Sequence, residues 1–269
     1  MKPKLAAMSG AGLLVLLVLA SILAGVLAGD GPDRLNVMSM LAPPSAGHWL
    51  GTDMLGRDVL ARLLFGGRVT LLLGIGVVSL AFVIGVGAGL VAGMAGGVVD
   101  WAIMRLTDAL LSFPALVLAI ALAAAFGPSL LHAVEAVALG MAPHFARLAR
   151  AQTVAIGQSL HVEAARAAGV GRTALAWRYY LRGALPTLSL QASLSLGTAI
   201  LQVAALGFLG LGSQPPLAEW GADISVNLEC LRSAPWAAAA PGIAIFLAVL
   251  AFNLLTDAMN DMALPSANR

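Results

Sequence analysis

The chain has 269 residues, of which 60% are apolar and 10% are charged, and its mean hydropathy is +0.93. An ordinary soluble domain carries about 25% charged residues. Thirteen acidic and fifteen basic side chains are too few for a soluble surface, so the composition excludes a soluble enzyme. The net charge of +2 is not that of a nucleic-acid-binding protein, and no nucleic-acid partner is expected. The single cysteine, Cys230, excludes an internal disulfide and a thiolate zinc cluster.

Six apolar stretches have about the 20 residues that a helix needs to cross a bilayer. They cover residues 5–28, 70–99, 105–126, 130–149, 185–211 and 237–255. The fourth is the weakest, because two histidines, a glutamate and an arginine lie in or near it. The sequence therefore predicts an all-α membrane protein with about six transmembrane helices and no internal repeat.

The first apolar stretch has two interpretations. Lys2 and Lys4 before an apolar run are typical of a signal peptide, whose apolar part has about 7–15 residues. This run is longer, and no A-x-A cleavage site follows it. We therefore expect residues 1–29 to form an uncleaved first transmembrane helix.

The distribution of basic residues predicts the orientation, because Lys and Arg concentrate in cytoplasmic loops. With the N-terminus inside, most of them lie on the cytoplasmic side, and both termini are then cytoplasmic. The residues placed inside are Lys2, Lys4, Arg105, Arg147, Arg150, Arg166, Arg172, Arg178, Arg182 and Arg269.

The second span contains glycines at intervals of four, namely Gly85, Gly89, Gly93 and Gly97. This spacing gives one helix face without side chains, against which another backbone can pack closely. A face that slides or lines a pathway is the alternative.

Two pairs of ionisable residues lie within or beside predicted spans, where such residues are functional candidates. Arg105 and Asp108 are three residues apart on the third span and are expected to form a structural ion pair. His132 and Glu135 have the same spacing on the fourth. They form either part of a polar translocation pathway or a hydrogen-bonded pair near a helix end, and two residues are too few for a metal site. Pro114 is expected to kink the third span.

Motifs for catalysis are absent from the sequence. It contains no G-x-x-x-x-G-K-[ST] phosphate loop, no H-E-x-x-H and no G-x-S-x-G. The chain is therefore not expected to be an enzyme, and any ATPase that drives it must be another chain.

The cytoplasmic segment 150–184 predicts two short helices. The first covers Val162 to Ala168, and Gly169 suits its C-terminal cap. The second runs from Arg172 to Leu181 and contains both arginines and aromatic residues, a composition typical of a helix at the membrane interface. Pro186 then marks the start of the fifth span. The segment could form a compact docking element or a generic loop.

Several motifs identify a family. Glu163-Ala164-Ala165, with Gly169 six residues after the glutamate, resembles the EAA loop of the membrane permeases of bacterial ABC importers. The outer motifs resemble the peptide/nickel branch of these permeases and consist of Gly51, Thr52, Asp53, Gly56, Arg57 and Asp58. Further matches are RLTDALLSFPALVLAI, the stretch 206–212 with the following AEWG, and the closing AFNLLTDAMND.

The resemblance covers most of the chain from about His48 to Asp261. One position departs from it, because many peptide-type relatives have a proline where this chain has Arg182. That position and the short N-terminal part are closer to nickel-type members.

The resemblance implies a type I ABC importer permease fold in the bacterial inner membrane. Residues 30–69 would be a periplasmic segment, and residues 70–269 the transmembrane domain with its coupling loop at 150–184. The expected partners are a second homologous permease, two P-loop ATPase subunits and a substrate-binding protein. ATP and Mg²⁺ would bind to the ATPase subunits, and no cofactor is expected on this chain.

The resemblance also implies roles for particular residues. The ATPase-coupling residues would be Glu163, Ala164, Ala165, Ala168 and Gly169. Asp53, Arg57 and Asp58 would either contact the binding protein or pair internally and fold the outer segment. The cargo would be di- or oligopeptides, or nickel and metal chelates. The alternative function is a self-sufficient ion-coupled secondary transporter.

Overall fold

A computed structural model of the chain describes residues 3–29 and 31–263, and the regular structure in these ranges is helical apart from one bridge between Thr52 and Asp58. The prediction of an all-α protein is confirmed. Lys2 and Arg269, which entered the prediction of orientation, lie outside the described residues.

Eleven α-helices make up this part of the chain, joined by a few short turns of other helix types. Val37–Ser39 and Leu228–Cys230 are 3₁₀ turns, and Ala176–Leu181 is π-helical. The α-helices are α1 (Pro3–Ile22), α2 (Ala24–Leu27), α3 (Val59–Ala95), α4 (Gly97–Leu111), α5 (Ala115–Phe126), α6 (Leu130–Gly157), α7 (Leu160–Ala167), α8 (Arg172–Leu175), α9 (Arg182–Phe208), α10 (Trp220–Asn227) and α11 (Pro235–Ala263).

Within the described ranges, three helical segments are long and apolar enough to cross a membrane, namely Val59–Ala95, Arg172–Phe208 and Pro235–Met259. If α4 and α5 are counted as one span, they form a fourth candidate, which is bent by 93°. The other two predicted spans correspond to the shorter apolar helix Met8–Ile22 within α1 and to α6, whose charged and polar side chains lower its hydropathy.

The third span bends at Pro114, as predicted, but the bend is a complete break in the helix between α4 and α5. Pro114 occupies the N-cap position of α5 with an extended ψ of 127°. Proline lacks an N–H group and disfavours the helical conformation of the residue before it, here Phe113. Two short helices at a steep angle replace the continuous span.

The fifth span also differs from the prediction. Pro186 lies inside α9 rather than at its start, and helical structure runs without interruption from Arg172 to Phe208. The π-helical residues Ala176–Leu181 join α8 to α9. The segment that was predicted as a separate interfacial helix is therefore the first part of one long helical rod, residues Arg172–Phe208.

The glycines of α3 pack against α6. Gly85, Gly89 and Gly93 face it so closely that a Cβ atom built on Gly89 would lie 2.7 Å from Cβ of Ala149 and would overlap the carbonyl oxygen of Ala146. The predicted close packing is confirmed for these three positions.

Gly97 is not part of this glycine face, contrary to the prediction. Gly96 ends α3 with φ +64°, and Gly97 begins α4 with φ +54° and has open space where a Cβ would lie. The chain turns here because both glycines adopt a left-handed conformation that other residues rarely adopt.

The centre of the fold is α6, which contacts α3, α5 and α9. Its Phe145 is fully buried and packs edge-to-face on Phe82 of α3, with ring centroids 5.7 Å apart. A second apolar cluster joins α3, α9 and α11 around Trp220 and Ile200. Two arginines of α6, Arg147 and Arg150, pair with Asp108 and Asp100 of α4, and such charged residues make it the least apolar predicted span.

The glycine face of α3 can be tested with two alanine variants of the same helix. Gly89→Ala adds a Cβ atom against the backbone of α6 and is expected to destabilise the fold by about 1–3 kcal/mol. Gly87→Ala is the matched control, because nothing lies within 4 Å of the added atom. The measurement is the thermal unfolding midpoint of the chain in detergent. Equal midpoints for the two variants would contradict the close packing.

Candidate functional site

The exposed helix α7 follows α6 and ends in a left-handed glycine. Gly169 has φ +78°. The amide of Gly169 donates to the carbonyl of Arg166 at 3.0 Å, and the amide of Val170 donates to that of Ala165 at 3.1 Å. This pair of bonds is the Schellman motif that stops a helix. The predicted cap at Gly169 is confirmed, and the helix covers Leu160–Ala167 rather than 162–168.

One side of α7 is fixed to the rest of the chain. Val162 and Ala165 are buried against Leu175 and Tyr180, and Arg166 donates a hydrogen bond to the Tyr180 hydroxyl. The His161 ring stacks on Tyr179 with centroids 6.3 Å apart. These contacts hold α7 firmly on the start of the rod that includes α9.

The other side of α7 is exposed. Glu163, Ala164, Ala168 and Gly169 are exposed, whereas Ala165 is only 7% exposed. The predicted coupling residues therefore do not share one surface, since Ala165 belongs to the internal cluster. The aromatic residues nearby divide in the same way, because Trp177 is 71% exposed but Tyr180 is buried.

At the opposite end of the fold, the GTD-x-x-GRD segment is a tightly bonded turn. The Arg57 Nε donates to Oδ2 of Asp53 at 2.6 Å, and both side chains are almost fully buried. Asp58 accepts from the amide of Ala61 at 2.8 Å, which caps α3, and its other oxygen lies 2.8 Å from Nδ1 of His48. Internal pairing, one of the two predicted roles, is what the structure shows.

The two glycines of this turn are required by its geometry. Gly51 and Gly56 have φ +72° and +71°, and a Cβ on Gly56 would overlap the carbonyl oxygen of Asn36. Thr52 accepts from the amide of Ala42 at 2.8 Å through its hydroxyl. The motif residues are thus used to fold the segment.

A buried ion pair joins this turn region to residues 212–236. Arg62 of α3 donates through Nε to Oδ1 of Asp223 at 2.7 Å, and its Nη1 lies 3.0 Å from the Asp33 carboxylate. Arg62 also donates to the carbonyl oxygens of Pro216 and Leu217. The sequence analysis missed this pair, because 161 residues separate its members.

Glu219 is a second buried carboxylate in the same region. It caps α10 by accepting from the amides of Gly221 and Ala222 at 2.9 and 2.8 Å, and it accepts from the hydroxyl of Thr70 at 3.0 Å. Burial raises the pKa of Glu219, although these bonds oppose the shift. Burial likewise raises the pKa of Asp223 to about 6, against the effect of Arg62.

The predicted pair between Arg105 and Asp108 is wrong. Asp108 pairs with Arg147 of α6 at 2.5 Å, while the Arg105 guanidinium lies over the ring of Trp101, 5.6 Å from its centroid. A residue on a neighbouring helix competes better here than one three positions away on the same helix.

His132 and Glu135 do not contact each other. Nδ1 of His132 lies 3.0 Å from the carbonyl oxygen of Gly127, and the imidazole packs edge-on against Phe126. The interpretation as a hydrogen-bonded pair is therefore wrong, and a role in the pathway stays a prediction.

Comparisons with known proteins agree with each other. The profile of the family described as "Binding-protein-dependent transport system inner membrane component" matches residues 85–269. The chain is 43% identical over 259 residues to the probable D,D-dipeptide transport system permease protein DdpC of Escherichia coli (strain K12), covering 96% of this chain and 87% of that protein. It is 40% identical over 244 residues to the dipeptide transport system permease protein DppC of Alkalihalophilus pseudofirmus, covering 91% and 80%.

Two further likenesses extend the comparison. The glutathione transport system permease protein GsiD of Pectobacterium atrosepticum is 42% identical over 229 residues, which cover 85% of this chain and 74% of that protein. A solved structure of the MetNI methionine ABC transporter in an inward-facing conformation matches with a TM-score of 0.54 at 22% identity, covering 73% of this chain and 95% of that one. This last likeness concerns the fold alone.

The buried ion pair provides a test of the outer region. Arg62→Met leaves the Asp223 carboxylate buried without its partner and is expected to cost about 3–5 kcal/mol at pH 7. At pH 5 the cost is expected to be smaller, because Asp223, with its pKa of about 6, is then protonated in both proteins and the wild type no longer holds an ionised pair. Thermal unfolding midpoints at the two pH values measure both effects.

The matched control is Arg232→Met, since Arg232 is exposed and forms no ion pair within the described residues. It is expected to leave the midpoint unchanged. An Arg62→Met protein as stable as this control at pH 7 would show that the buried pair does not stabilise the outer region.

Proposed function

The chain belongs to the family of inner membrane components of binding-protein-dependent transport systems, and we propose that it forms the translocation pathway of a peptide importer. It is a non-catalytic permease subunit of an ABC importer in the inner membrane. The observation that carries this conclusion is the identity of 40–43% with permeases over 91–96% of the chain. An ion-coupled secondary transporter, the alternative from the sequence, is wrong for the same reason.

Peptides are the cargo that we propose. The relatives are named for dipeptides, D,D-dipeptides and glutathione, all of which contain a peptide bond. Nickel and metal chelates, the other cargo expected from the sequence, find no support among these names.

We propose six membrane crossings in a type I importer fold, made by α1, α3, the α4–α5 pair, α6, α9 and α11. The likeness to the MetNI fold and the bias of basic residues towards one side support this arrangement with both termini cytoplasmic. Residues 30–69 would then be periplasmic, and residues 150–184 would face the ATPase subunits.

The coupling element in this proposal is α7. A helix of eight residues that is fixed on one side and exposed on the other suits insertion into a cleft of an ATPase subunit. Ala164 and Ala168 would allow close approach, Glu163 would meet a positive group or a backbone amide, and Gly169 would end the helix. ATP and Mg²⁺ would act on the partner subunits and move this helix.

The outer turn would present the pathway to the binding protein. We propose that Gly51, Thr52, Asp53, Gly56, Arg57 and Asp58 keep this surface rigid, because their side chains and backbone are engaged within the chain. Glu135, which has no hydrogen bond or ion pair with the described residues, would lie with His132 near the outer mouth of the pathway.

Purification of the tagged chain from its native membrane tests the proposal as a whole. A second permease, two P-loop ATPases and a binding protein are expected to accompany it, as identified by mass spectrometry. A chain that purifies alone and mediates ATP-independent uptake in vesicles would overturn the proposal.

The coupling role is tested by two valine variants. Gly169→Val strains a backbone with φ +78° and adds bulk to the exposed surface of α7, although no atom beyond the neighbouring residues lies within 4 Å of the Cβ position. We expect peptide uptake and binding-protein-stimulated ATP hydrolysis to fall together by at least about tenfold, while membrane insertion is unchanged.

Gly171→Val is the matched control, because Gly171 is also open but has φ −63°, which valine adopts without strain. It is expected to retain uptake. Normal uptake by Gly169→Val would contradict the proposed role of the glycine.

A further inference from the structure

A stripe of polar residues runs along the middle of α9. Gln191, Ser195, Thr198 and Gln202 are spaced by four, three and four positions, so that they fall within about 60° of one another around the helix at 3.6 residues per turn. The stripe is about 16 Å long at 1.5 Å per residue. It begins nine residues after Arg182 and ends six before Phe208, well inside the candidate span.

The stripe opens into a cavity. The cavity has a volume of about 310 Å³, at the lower end of the range typical of small-molecule sites. All four stripe residues line it, and His144 of α6 lines it from the facing helix together with Ala115, Met141 and Leu194. The cavity is thus a polar chamber at the depth where helices are normally apolar.

Much of the hydrogen-bonding capacity in the chamber is unused. The side chains of His144, Thr198 and Gln202 have no hydrogen bond with any described residue, and Oε1 of Gln202 is buried without a partner. Ser195 donates to the carbonyl oxygen of Gln191 at 2.8 Å within the helix. A buried polar atom without a partner is costly, so this chamber favours an occupant that supplies donors and acceptors.

Two serines elsewhere on α9 are satisfied within the chain. Ser193 and Thr256 of α11 share a hydrogen bond of 2.8 Å, and Ser189 donates to the carbonyl oxygen of Pro186 at 2.9 Å. Ser189 and Ser193 lie on the opposite side of the helix from the stripe. Among the described residues of α9, the buried polar atom left without a partner is Oε1 of Gln202, in the chamber.

We infer that this chamber lines the translocation pathway and receives the uncharged amide groups of a short peptide. The inference rests on the proposed function. Glutamine side chains present a donor and an acceptor side by side, which matches the N–H and C=O groups of a peptide bond. The chamber is lined by no Asp, Glu, Lys or Arg, and a single histidine is a poor site for a bare divalent cation.

Lipid is a poor neighbour for this face. Polar residues within a membrane face the interior of the assembly or a water-filled cavity, because contact with an apolar surface would leave them without partners. The face has both an open cavity, where His144 and Thr198 are exposed, and free donors and acceptors, as a path for a polar solute requires.

The inference is tested in the importer purified with its native partners and reconstituted in liposomes. The readouts are ATP-driven uptake of labelled L-alanyl-L-alanine and of ⁶³Ni²⁺. Gln202→Leu and Thr198→Val are each expected to reduce dialanine uptake by about tenfold, and Gln202→Asn is expected to recover part of it. Ser189→Ala, on the opposite side of α9, is the matched control and is expected to take up dialanine like the wild type.

The outcomes separate the inference from the proposed function. A wild-type complex with neither uptake nor binding-protein-stimulated ATP hydrolysis would contradict the proposed function itself. An active wild type with Gln202→Leu and Thr198→Val at its rate would overturn the inference alone. A wild type that imports ⁶³Ni²⁺ but no dialanine would overturn both the inference and the proposed peptide cargo.

Thiol labelling distinguishes a pathway from a subunit contact. In a Cys230→Ser background, Thr198→Cys is expected to react with a small water-soluble methanethiosulfonate in the assembled complex, and dialanine with the binding protein is expected to slow that reaction. A thiol that stays unreactive both without nucleotide and with trapped ATP would show that a protein surface covers the face, and would overturn the inference.

Discussion

Buried polar groups have no water to bind, and the partner that each one finds governs how this chain folds. Arg62 meets Asp223 and two carbonyl oxygens, and Thr70 meets Glu219. These bonds fix the beginning of α3 to residues 212–236, so that the outer end of the fold is one rigid body. The polar side chains of α9 that point at α11 are satisfied in the same way. In the chamber, Oε1 of Gln202 is buried without a partner among the described residues, and the proposed cargo would supply one.

One continuous helical segment from Arg172 to Phe208 connects the proposed coupling helix to the chamber. Near its start, Tyr180 and Leu175 hold the coupling helix α7, and near its other end Thr198 and Gln202 line the chamber. Helical structure is continuous between them, so a displacement of α7 is transmitted along one element without passing through a flexible loop. In the proposed importer, the ATPase subunits could thereby change the chamber directly. The sequence analysis expected the fifth span to begin at Pro186, whereas Pro186 lies inside α9. A helix that began at Pro186 would not have joined the proposed docking element to the chamber.

Some local signals in the sequence were reliable, whereas others were overruled by contacts between distant segments. The glycines at 85, 89 and 93, the cap at Gly169 and the pairing of Asp53 with Arg57 all depend on spacings within one turn or one helix. The pair between Arg62 and Asp223 joins segments 161 residues apart, and no spacing rule reveals it. Asp108 preferred Arg147 of another helix to its own neighbour, since packing determines which cation is closest. The polar stripe of α9 was visible as a period in the sequence, but its meaning required the facing helix and its His144.

An uncharged polar chamber also explains how one permease could carry different peptides. Side chains vary in charge and size between dipeptides, whereas the amide group is common to all of them. Fixed charges in the chamber would favour some cargo and repel other cargo by several kcal/mol at short range in a medium of low dielectric constant. Glutamine, serine and threonine impose no such penalty, and each of their hydrogen bonds contributes only about 1 kcal/mol net. In the proposed importer, weak contacts of this kind would hold a peptide long enough to pass but not long enough to stay, which would leave the choice of cargo to the binding protein and the direction of movement to ATP.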